Sequence, residues 1–479
     1  MARLPVQFAK TELSTLTTTF HLTRSNQSSR GHLLRIVGVT FGIAVSIGGT
    51  IGSGILRTPG EVAAQLRSPW MIMAIWAIGG VYAFFGTLCV TELATMLPRE
   101  GGWYVFSHAS FGKYAGFLVG CCDWVLQIVA ISYLSVAFGE FSAGLQPGLA
   151  PHLKLVSIGC VVVLTVVNWL GLRAGSRAQE VTSLIKALAL VGFVVACFVV
   201  SPSAATLPSV NLLAPRGSIL LGVVLALESV IVTYDGWYSA IYFMEEDEDP
   251  ARNLPRSAIG GIVACIAIFL LVNAALLYVL PVGKLAASQV PGADVAMLVF
   301  GGRGKQVFLV ISLITVVSTI NALLLLSPRI LFAMSRDRLL PRWMSSVNNG
   351  GTPARALLAG AIVVTGLVLS GNFETLVGIA SVIMVVVYIS GFMALLRLRA
   401  RRPDLARPFK VWGYPWTVWG VLLVSIGFLA GTVIGDIKHS LFTLVLIAVS
   451  IPIYFLAVKT GPNRNPIPDI PVLPEDVGD

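Results

Sequence analysis

The amino-acid sequence predicts an all-α membrane protein with twelve transmembrane helices, ten of them forming two inverted repeats of five. Of the 479 residues, 56% are hydrophobic and only 12% are charged, about half the charge that soluble domains carry. Apolar stretches of about 20 residues, long enough as helices to cross the hydrocarbon core of a bilayer, recur along the chain. Two of these stretches, the first and the sixth, are interrupted by helix-breaking residues.

Hydropathy and breaker residues place the boundaries of the twelve spans. The spans are 36–66, 69–97, 115–142, 154–171, 181–201, 218–247, 256–281, 305–334, 354–370, 374–396, 414–434 and 440–458. Spans 1–5 (36–201) and 6–10 (218–396) form the predicted repeats, and 414–458 adds spans 11 and 12. Residues 1–35 are polar, without a signal-peptide pattern. Residues 459–479 are rich in proline and predicted to be a disordered tail.

The distribution of Lys and Arg predicts the orientation, because these residues concentrate in cytoplasmic loops. Of the 33 basic residues, we count 24 in the two tails and in the loops after spans 2, 4, 6, 8 and 10. The opposite loops contain 8, and Lys186 lies inside span 5. Both termini are therefore predicted to be cytoplasmic. The net charge of +10 is explained by this orientation, and no nucleic-acid partner is predicted.

The interruptions in spans 1 and 6 are the strongest functional signal in the sequence. Residues 48–54 (GGTIGSG) place four glycines within seven positions of span 1, and residues 233–237 (TYDGW) interrupt span 6. Each glycine lowers helix propensity by about 1 kcal/mol. An opened backbone at membrane depth is tolerated where protein or a watery cavity surrounds it. Matching breaks in two sets of five spans predict an inverted-repeat transporter with its substrate site at the breaks.

A simpler explanation exists for the glycines of span 1. Gly48 and Gly52 form a GxxxG pair, which often reflects close packing between membrane helices. The second break, in span 6, favours the transporter interpretation over packing alone.

A broken helix exposes main-chain groups that match the two ends of a zwitterion. The amides of Gly52, Ser53 and Gly54, at the start of the second half of span 1, are predicted to bind a carboxylate. The carbonyl groups predicted to receive an ammonium group are those of Ile47, Gly48, Val232 and Thr233. Together they predict a site for an amino acid.

Four stretches of the chain resemble the signature sequences of the amino acid-polyamine-organocation (APC) superfamily. They are Thr50–Leu56 (TIGSGIL), Glu92–Phe106 (ELATMLPREGGWYVF), Tyr234–Pro255 (YDGWYSAIYFMEEDEDPARNLP) and Ser327–Pro341 (SPRILFAMSRDRLLP). Within the superfamily they are most similar to the L-type amino acid transporters and their prokaryotic relatives. The resemblance implies the LeuT-type fold, with five-plus-five inverted repeats, two added helices and substrate bound at the breaks in spans 1 and 6. One departure is Val232, where L-type transporters have a gating Phe, so we expect another aromatic residue to form the outer gate.

Lys186 is a cation inside span 5. Insertion scales assign a free-energy cost of about 2.5–3.5 kcal/mol to a charged side chain at the centre of a membrane helix. The surrounding residues 182–190 (TSLIKALAL) resemble the fifth span of L-type transporters. The resemblance implies that this lysine replaces the sodium ion of sodium-coupled relatives and bridges span 1 to span 8, near Thr319 and Asn321. Sodium-independent transport is therefore expected. The alternative is a lysine that snorkels to the membrane interface.

Several carboxylates leave alternatives open. Asp235, at the span 6 break, is predicted to line the pocket, to meet a cationic substrate or to take up a proton, or else to cap the second half-helix. Proton transfer at Lys186 is equally open, so proton coupling is possible. Glu92 and Asp123 are expected to be paired near helix ends. The run 245–249 is expected to be a solvated cytoplasmic cap.

The sequence predicts a sodium-independent transporter of neutral L-amino acids that works by alternating access as an exchanger (antiporter), a facilitator or a proton symporter. The alternatives are a transporter of cationic amino acids or polyamines, favoured by Asp235, and a channel, since broken helices also build pores. Neither an enzyme nor a cofactor or metal site is predicted, because nucleophile, phosphate-loop and metal-ligand patterns are not found.

The predicted partners are a small-molecule amino acid and the lipid bilayer. The six cysteines all lie in apolar runs and are expected to pack as small apolar residues. Eukaryotic L-type transporters join a glycoprotein through a cysteine between spans 3 and 4, but residues 141–154 contain none. The resemblance therefore implies a prokaryotic protein of the cytoplasmic (inner) membrane without a disulfide-linked heavy chain.

Overall fold

The computed structural model describes residues 33–200, 218–371 and 373–435 and, within predicted span 12, residues 441, 443–445, 448–452 and 454–455. In these parts of the chain the regular structure is helical, and the single β contact is an isolated bridge between Val37 and Asp247. Eight helices of the described residues are long and apolar enough to cross a membrane. The all-α membrane class predicted from the sequence is therefore confirmed.

The fifteen helices of residues 33–435 are interrupted by short 3-10 turns, two of which, Ser53–Leu56 and Ser239–Phe243, follow the breaks in spans 1 and 6. The helices are α1 (Val39–Thr50), α2 (Thr58–Leu66), α3 (Pro69–Met96), α4 (Trp103–Phe111), α5 (Lys113–Leu145), α6 (Leu153–Trp169), α7 (Leu172–Val199), α8 (Ile219–Thr233), α9 (Pro250–Val279), α10 (Val282–Ala287), α11 (Pro291–Phe300), α12 (Gly304–Arg336), α13 (Ala354–Ser370), α14 (Phe373–Arg401) and α15 (Trp416–Gly435).

The helices follow the order of the predicted spans. Spans 2, 3, 4, 5, 7, 8, 10 and 11 contain α3, α5, α6, α7, α9, α12, α14 and α15, and account for the eight long apolar helices. Span 1 is divided into α1 and α2, and span 6 begins with α8. The predicted division between spans 9 and 10 is confirmed, since α13 ends at Ser370 and Gly371 adopts a left-handed φ of 72°. Most of the two predicted tails and part of span 12 lie outside the described residues.

The predicted starts of some spans lie too far along the chain, so that the helices observed there are longer than predicted. Helix α7 begins at Leu172 and α9 at Pro250, well before the predicted starts of spans 5 and 7. Both helices begin with polar turns, which lower the local hydropathy although these turns belong to the helix. Pro250 occupies the first turn of α9, where its missing N–H has no consequence. The short helices α4, α10 and α11, between the spans, were not predicted.

Large aromatic side chains pack around the break in span 6. Trp103 of α4 lies with its ring centroid 5.3 Å from Tyr238 and 5.6 Å from Tyr388 of α14. Trp237 lies 5.3 Å from Tyr388 and stacks on Phe392 at 6.5 Å. Because lipid supplies little hydrophobic driving force between helices, such close packing contributes much of the association of membrane helices. This aromatic cluster joins α4, span 6 and span 10 at the level of the break.

The face of the molecule predicted to be cytoplasmic, here called the inner face, is tied together by polar contacts. Glu92, fully buried near the end of α3, accepts a 2.6 Å hydrogen bond from Nε of Arg399 and a 2.7 Å bond from the backbone N–H of Val411. The expected pairing of Glu92 is therefore confirmed. Asp123, also buried, accepts hydrogen bonds from the neutral donors Tyr242 (2.7 Å) and Gln127 (3.0 Å).

Candidate functional site

The interruption predicted in span 1 is present. Helix α1 ends at Thr50, Ile51 and Gly52 leave the helical conformation, and a 3-10 turn begins at Ser53. The Gly52 N–H donates to the carbonyl of Thr50 at 3.1 Å. Ser53 and Gly54 open the turn, where N–H groups have no acceptor within the same turn. Two of the three amides predicted to bind a carboxylate are thus placed at a helical start.

Span 6 is interrupted at the predicted residues as well. Helix α8 ends at Thr233, and residues 234–238 form a turn before the 3-10 turn Ser239–Phe243. Gly236 has a φ of 97°, a conformation that L side chains rarely adopt. The carbonyl of Val232 accepts a 3.2 Å bond from the N–H of Asp235, while the Val232 side chain is 40% exposed on the outside of the helix. Regular helical hydrogen bonding is therefore interrupted over residues 234–238.

The main chains of the two breaks are in contact. A Cβ atom on Gly236 would lie 2.5 Å from the Gly49 carbonyl oxygen and 2.9 Å from the Thr50 nitrogen, so only glycine fits. On the other side of the break, a Cβ atom on Gly54 would lie 3.3 Å from the Thr233 side chain. The Thr233 hydroxyl also bonds that of Thr58 in α2 at 2.9 Å. Spans 1 and 6 are therefore held together at their interruptions.

The two glycines of the GxxxG pair have different surroundings. A Cβ atom on Gly48 would overlap the side chain of Gln179 in α7, at 1.8 Å. A Cβ atom on Gly52 would meet nothing within 4 Å. Close packing therefore explains Gly48, whereas Gly52 borders open space.

A cavity of about 150 Å³ adjoins the start of the second half of span 1. Its lining is largely apolar, with Ser53 on one wall and Ser312 of α12 among the other polar residues. Arg57 and Lys305 bring two cationic side chains to the same cavity. The predicted carboxylate-binding segment thus faces space on the side away from the inner face.

Lys186 is fully buried and reaches the end of α1. Its Nζ atom lies 3.3 Å from the carbonyl oxygen of Ile47, 3.0 Å from that of Gly48 and 2.8 Å from that of Ile51. The hydroxyl of Thr319 in span 8 is 3.3 Å away. The lysine therefore connects spans 1, 5 and 8 in the middle of the protein, and the snorkelling alternative is wrong.

Lys186 also occupies two of the carbonyl groups that were predicted to bind the substrate ammonium group. The carbonyl groups of Ile47 and Gly48 bind the ammonium group of Lys186, and the Ile47 carbonyl also accepts the N–H of Ile51 at 3.0 Å. These two carbonyls are engaged by the protein itself.

Asn321 belongs to a polar network beside the lysine. Its side-chain nitrogen donates to Gln179 at 2.8 Å, and its side-chain oxygen accepts from Asn168 at 2.9 Å. Sequence reasoning missed Gln179 and Ser183, whose hydroxyl donates to the Ala44 carbonyl of α1 at 2.7 Å. The available signal was helical spacing, because residues 179, 183 and 186 share one face of α7.

Asp235 projects from the span 6 break into the aromatic cluster. Its carboxylate accepts a hydrogen bond from the Tyr388 hydroxyl of α14, and the Tyr238 hydroxyl also contacts it. The 3-10 turn that starts at Ser239 has Tyr238 at its N-cap and no side-chain cap. The proposed capping role of Asp235 is therefore wrong, and the side chain is placed toward span 10.

The expectation of a solvated acidic cap at 245–249 is wrong for Glu246 and Asp247, whereas Glu245 is partly exposed. Glu246 is fully buried and forms a bidentate pair with Arg329 of span 8, at 2.8 Å for both Nε and Nη2. Glu245 pairs with Arg336 at 2.6 Å. Asp247 is 9% exposed and accepts from Asn253. Local sequence could not show this, because the two arginines are more than 80 residues away.

Comparison with known proteins agrees with this architecture. The family model described as amino acid permease matches residues 37–457. The serine/threonine exchanger SteT of Bacillus subtilis is 26% identical over 431 residues, which cover 88% of this chain and 97% of that protein. The b(0,+)-type amino acid transporter 1 of Mus musculus is 27% identical and covers 91% and 90% of the two chains. The Asc-type amino acid transporter 1 of Mus musculus is 27% identical and covers 90% and 82%.

The match with the family model extends over most of the chain and includes both breaks, the segment that contains Lys186, and the inner-face residues. The relatives align over nearly their whole length, so the similarity concerns the complete transporter chain and not one segment. The chain therefore belongs to the amino acid permease family of the APC superfamily.

Proposed function

We propose that this protein is a sodium-independent secondary transporter of amino acids, most of all neutral L-amino acids, that works by alternating access. The observation that carries the proposal is the meeting of two broken helices, with Gly236 of span 6 against the Gly49 and Thr50 main chain of span 1. Facing half-helices near the bilayer midplane form the substrate sites of inverted-repeat transporters. The proposed arrangement is the twelve-helix, LeuT-type fold with repeats at 36–201 and 218–396.

In this proposal the substrate carboxylate binds the amides at the start of the second half of span 1. Ser53 and Gly54 present N–H groups there, next to the 150 Å³ cavity, with Gly52 beside them. Unpaired amides and the positive end of the helix dipole favour an anion at this position. Arg57 and Lys305, which line the same cavity, add positive charge along the approach.

The substrate ammonium group then binds at the end of α8. The carbonyl groups of Val232 and Thr233 lie at that helix end. The Val232 oxygen accepts the N–H of Asp235 at 3.2 Å, and a carbonyl oxygen has a second lone pair that can accept from the substrate. The Ile47 and Gly48 carbonyls, which bind Lys186, hold the other half of the site in place. This arrangement assigns the recognition of the zwitterion chiefly to main-chain groups.

Sodium independence is inferred from the position of Lys186. Its ammonium group is surrounded by three carbonyl oxygens and one hydroxyl oxygen. Such oxygens are also the ligands that a hard monovalent cation would use. With the lysine nitrogen already bound at this place, the contact between spans 1 and 8 does not require a bound sodium ion.

The transport mode and the membrane are proposed from the relatives and the charge distribution. The name of the serine/threonine exchanger of B. subtilis supports small neutral substrates and exchange, while facilitated diffusion and proton symport are the other modes. The distribution of basic residues supports an orientation with both termini in the cytoplasm, and the short loops support a protein of the cytoplasmic membrane of a prokaryote. The segment 141–154 has no cysteine, which supports function without a disulfide-linked heavy chain.

Asp235 supports transport of cationic amino acids or polyamines as the second candidate. Its carboxylate is partly buried and receives hydrogen bonds from the neutral hydroxyls of Tyr388 and Tyr238. A substrate that carries a positive charge on its side chain would supply the missing counter-charge, whereas a neutral substrate would leave the tyrosine contacts intact.

Reconstitution into liposomes tests the proposed function. We expect saturable uptake of labelled L-serine or another neutral L-amino acid in sodium-free buffer, faster when the lumen contains unlabelled substrate. Labelled arginine and putrescine, measured in parallel, distinguish the second candidate. Runs with and without a pH gradient separate proton symport from exchange. Uptake that does not saturate and is not stimulated by internal substrate would indicate a channel and contradict the proposal.

A further inference from the structure

Three segments of the inner face meet in one cluster of charged side chains, here called the inner-face cluster. Glu100 comes from the segment between α3 and α4, Glu245 and Glu246 from the end of span 6, and Arg329 and Arg336 from α12. The Glu100 N–H donates to the Glu245 carboxylate at 3.0 Å, and the Glu245 N–H donates to the Glu100 carboxylate at 3.2 Å. The cluster therefore connects spans 2, 6 and 8 across the inner face.

Each of the two arginines forms a bidentate pair with one of the three carboxylates. Arg329 forms its bidentate pair with Glu246, and its guanidinium also lies 4.3 Å from the ring centroid of Phe243. Arg336 forms a second bidentate pair with Glu245, at 2.7 and 2.6 Å. Such fork-like pairs satisfy a carboxylate strongly. Glu100 is thus left without an arginine of its own.

Glu100 occupies an unfavourable position for a charged carboxylate. Its side chain is fully buried, and its Oε2 atom lies 3.7 Å from Nε of Arg329, beyond hydrogen-bond distance. Among the described residues, Oε2 has no hydrogen-bond partner. A buried carboxylate that lacks a hydrogen-bonded counter-charge is costly to ionise, and such a group is generally neutralised instead.

The charge balance of the cluster leads to the same conclusion. With every group ionised, three carboxylates face two guanidinium groups, which leaves one excess negative charge. The neighbouring pair of Arg99 and Asp337, at 2.8 Å, is neutral by itself. Burial and the negative charge of Glu246 raise the pKa of Glu100 well above its usual range, although Arg329 acts in the opposite direction. One proton on Glu100 makes the assembled cluster neutral.

We propose that Glu100 is a proton-binding site that takes up one proton when the inner-face cluster assembles and releases it to the cytoplasm when the cluster comes apart. The step converts a carboxylate and a proton into a carboxylic acid, and opening reverses it. This inference rests on the proposed alternating access, because that cycle requires the inner face to open and close. The cytoplasmic proton concentration would then bias the protein toward its closed inner face.

The direction of the pH effect follows from linkage. The closed state binds one proton more than the open state, in which water solvates Glu100 and returns it to its ordinary titration range. Closure is therefore favoured as the pH falls and lost as the pH rises through the raised pKa of the closed state. Between the two pKa values, the ratio of closed to open protein changes by about tenfold per pH unit.

Distance measurements between two spin labels test the proposal without the need for substrate. Ala251, after the acidic run, and Arg342, after span 8, are exposed and lie in segments that follow the two sides of the cluster. Both are replaced by labelled cysteines in a background whose native cysteines are changed to alanine, in lipid nanodiscs. Pulsed electron resonance then gives the fractions of short and long distances as the pH is varied. In the parent protein, the short-distance fraction should rise as the pH falls.

The variant Glu100→Gln should hold the short distance at every pH, because its amide is neutral and similar in shape to the protonated acid. Glu248→Gln is the matched control, since Glu248 is an exposed residue of the adjacent run and should leave the titration unchanged. Glu100→Ala provides a second neutral variant should the glutamine protein not be recovered, and it should also abolish the titration.

Two results would overturn the proton site: an unchanged titration in the Glu100 variants, or distances in the parent protein that do not respond to pH. Neither result concerns the transport assay in liposomes. If the parent protein transports amino acids but does not show this titration, the proposal of the proton site alone is refuted. If the protein shows the titration but takes up no amino acid, the proposed transport function is refuted instead.

Discussion

Replacing Lys186 with alanine is expected to abolish most transport while leaving the protein in the membrane. The substitution removes the donor shared by the carbonyl groups of Ile47, Gly48 and Ile51. A buried polar group that loses its partner costs about 1–3 kcal/mol, so the end of α1 should move or admit water. Since about 1.4 kcal/mol corresponds to a factor of ten, uptake in liposomes should fall by roughly 5- to 100-fold.

Lys410→Ala is the matched control for this variant. Lys410 is an exposed lysine of the loop between spans 10 and 11, so its loss should leave the uptake rate close to that of the parent protein. Rates are compared per amount of reconstituted protein, measured after size-exclusion chromatography. If Lys186→Ala transports as well as Lys410→Ala, the lysine does not maintain the site.

Substitution of Gly236 by alanine is expected to have a comparable effect through the main chain. A non-glycine residue at φ 97° costs about 1–3 kcal/mol. The added Cβ would also lie 2.5 Å from the Gly49 carbonyl oxygen, which forces the two breaks apart. Uptake should fall by roughly 5- to 100-fold, the range that this strain alone corresponds to.

The control for Gly236→Ala is another glycine-to-alanine change in the same protein. Gly420 in α15 is exposed, and a Cβ atom there would meet nothing within 4 Å. Gly420→Ala should therefore retain parental uptake and affinity. Equal uptake by the two variants would show that the contact between the breaks is not needed for transport.

The sequence predicted the breaks well because their cause is local. The four glycines within 48–54 lower the helix propensity of this segment whatever it packs against, and α1 ends at Thr50 in the structure. The exposed N–H groups after the break follow from the same local argument. What the sequence alone did not predict is that the Ile47 and Gly48 carbonyls bind Lys186, since that contact depends on how α7 packs against α1.

Contacts between distant segments account for the other differences. The acidic run at 245–249 has the composition of a solvated cap, yet Glu246 is buried because Arg329 lies opposite it on α12. Asn321, placed near Lys186 by resemblance, belongs to the polar network beside the lysine, but its amide bonds Gln179 of α7 and not the lysine itself. In both cases the residue type was informative, but the partner was set by helix packing.

The central claim is that main-chain groups at the two breaks bind the charged ends of an amino acid. A structure of the protein in lipid nanodiscs with a saturating neutral L-amino acid tests it most directly. The account predicts the substrate carboxylate at hydrogen-bond distance, about 2.7–3.2 Å, from the N–H groups of Ser53 and Gly54, with the ammonium group at the Val232 and Thr233 carbonyls. An amino acid bound elsewhere, with no contact to either break, would contradict the account.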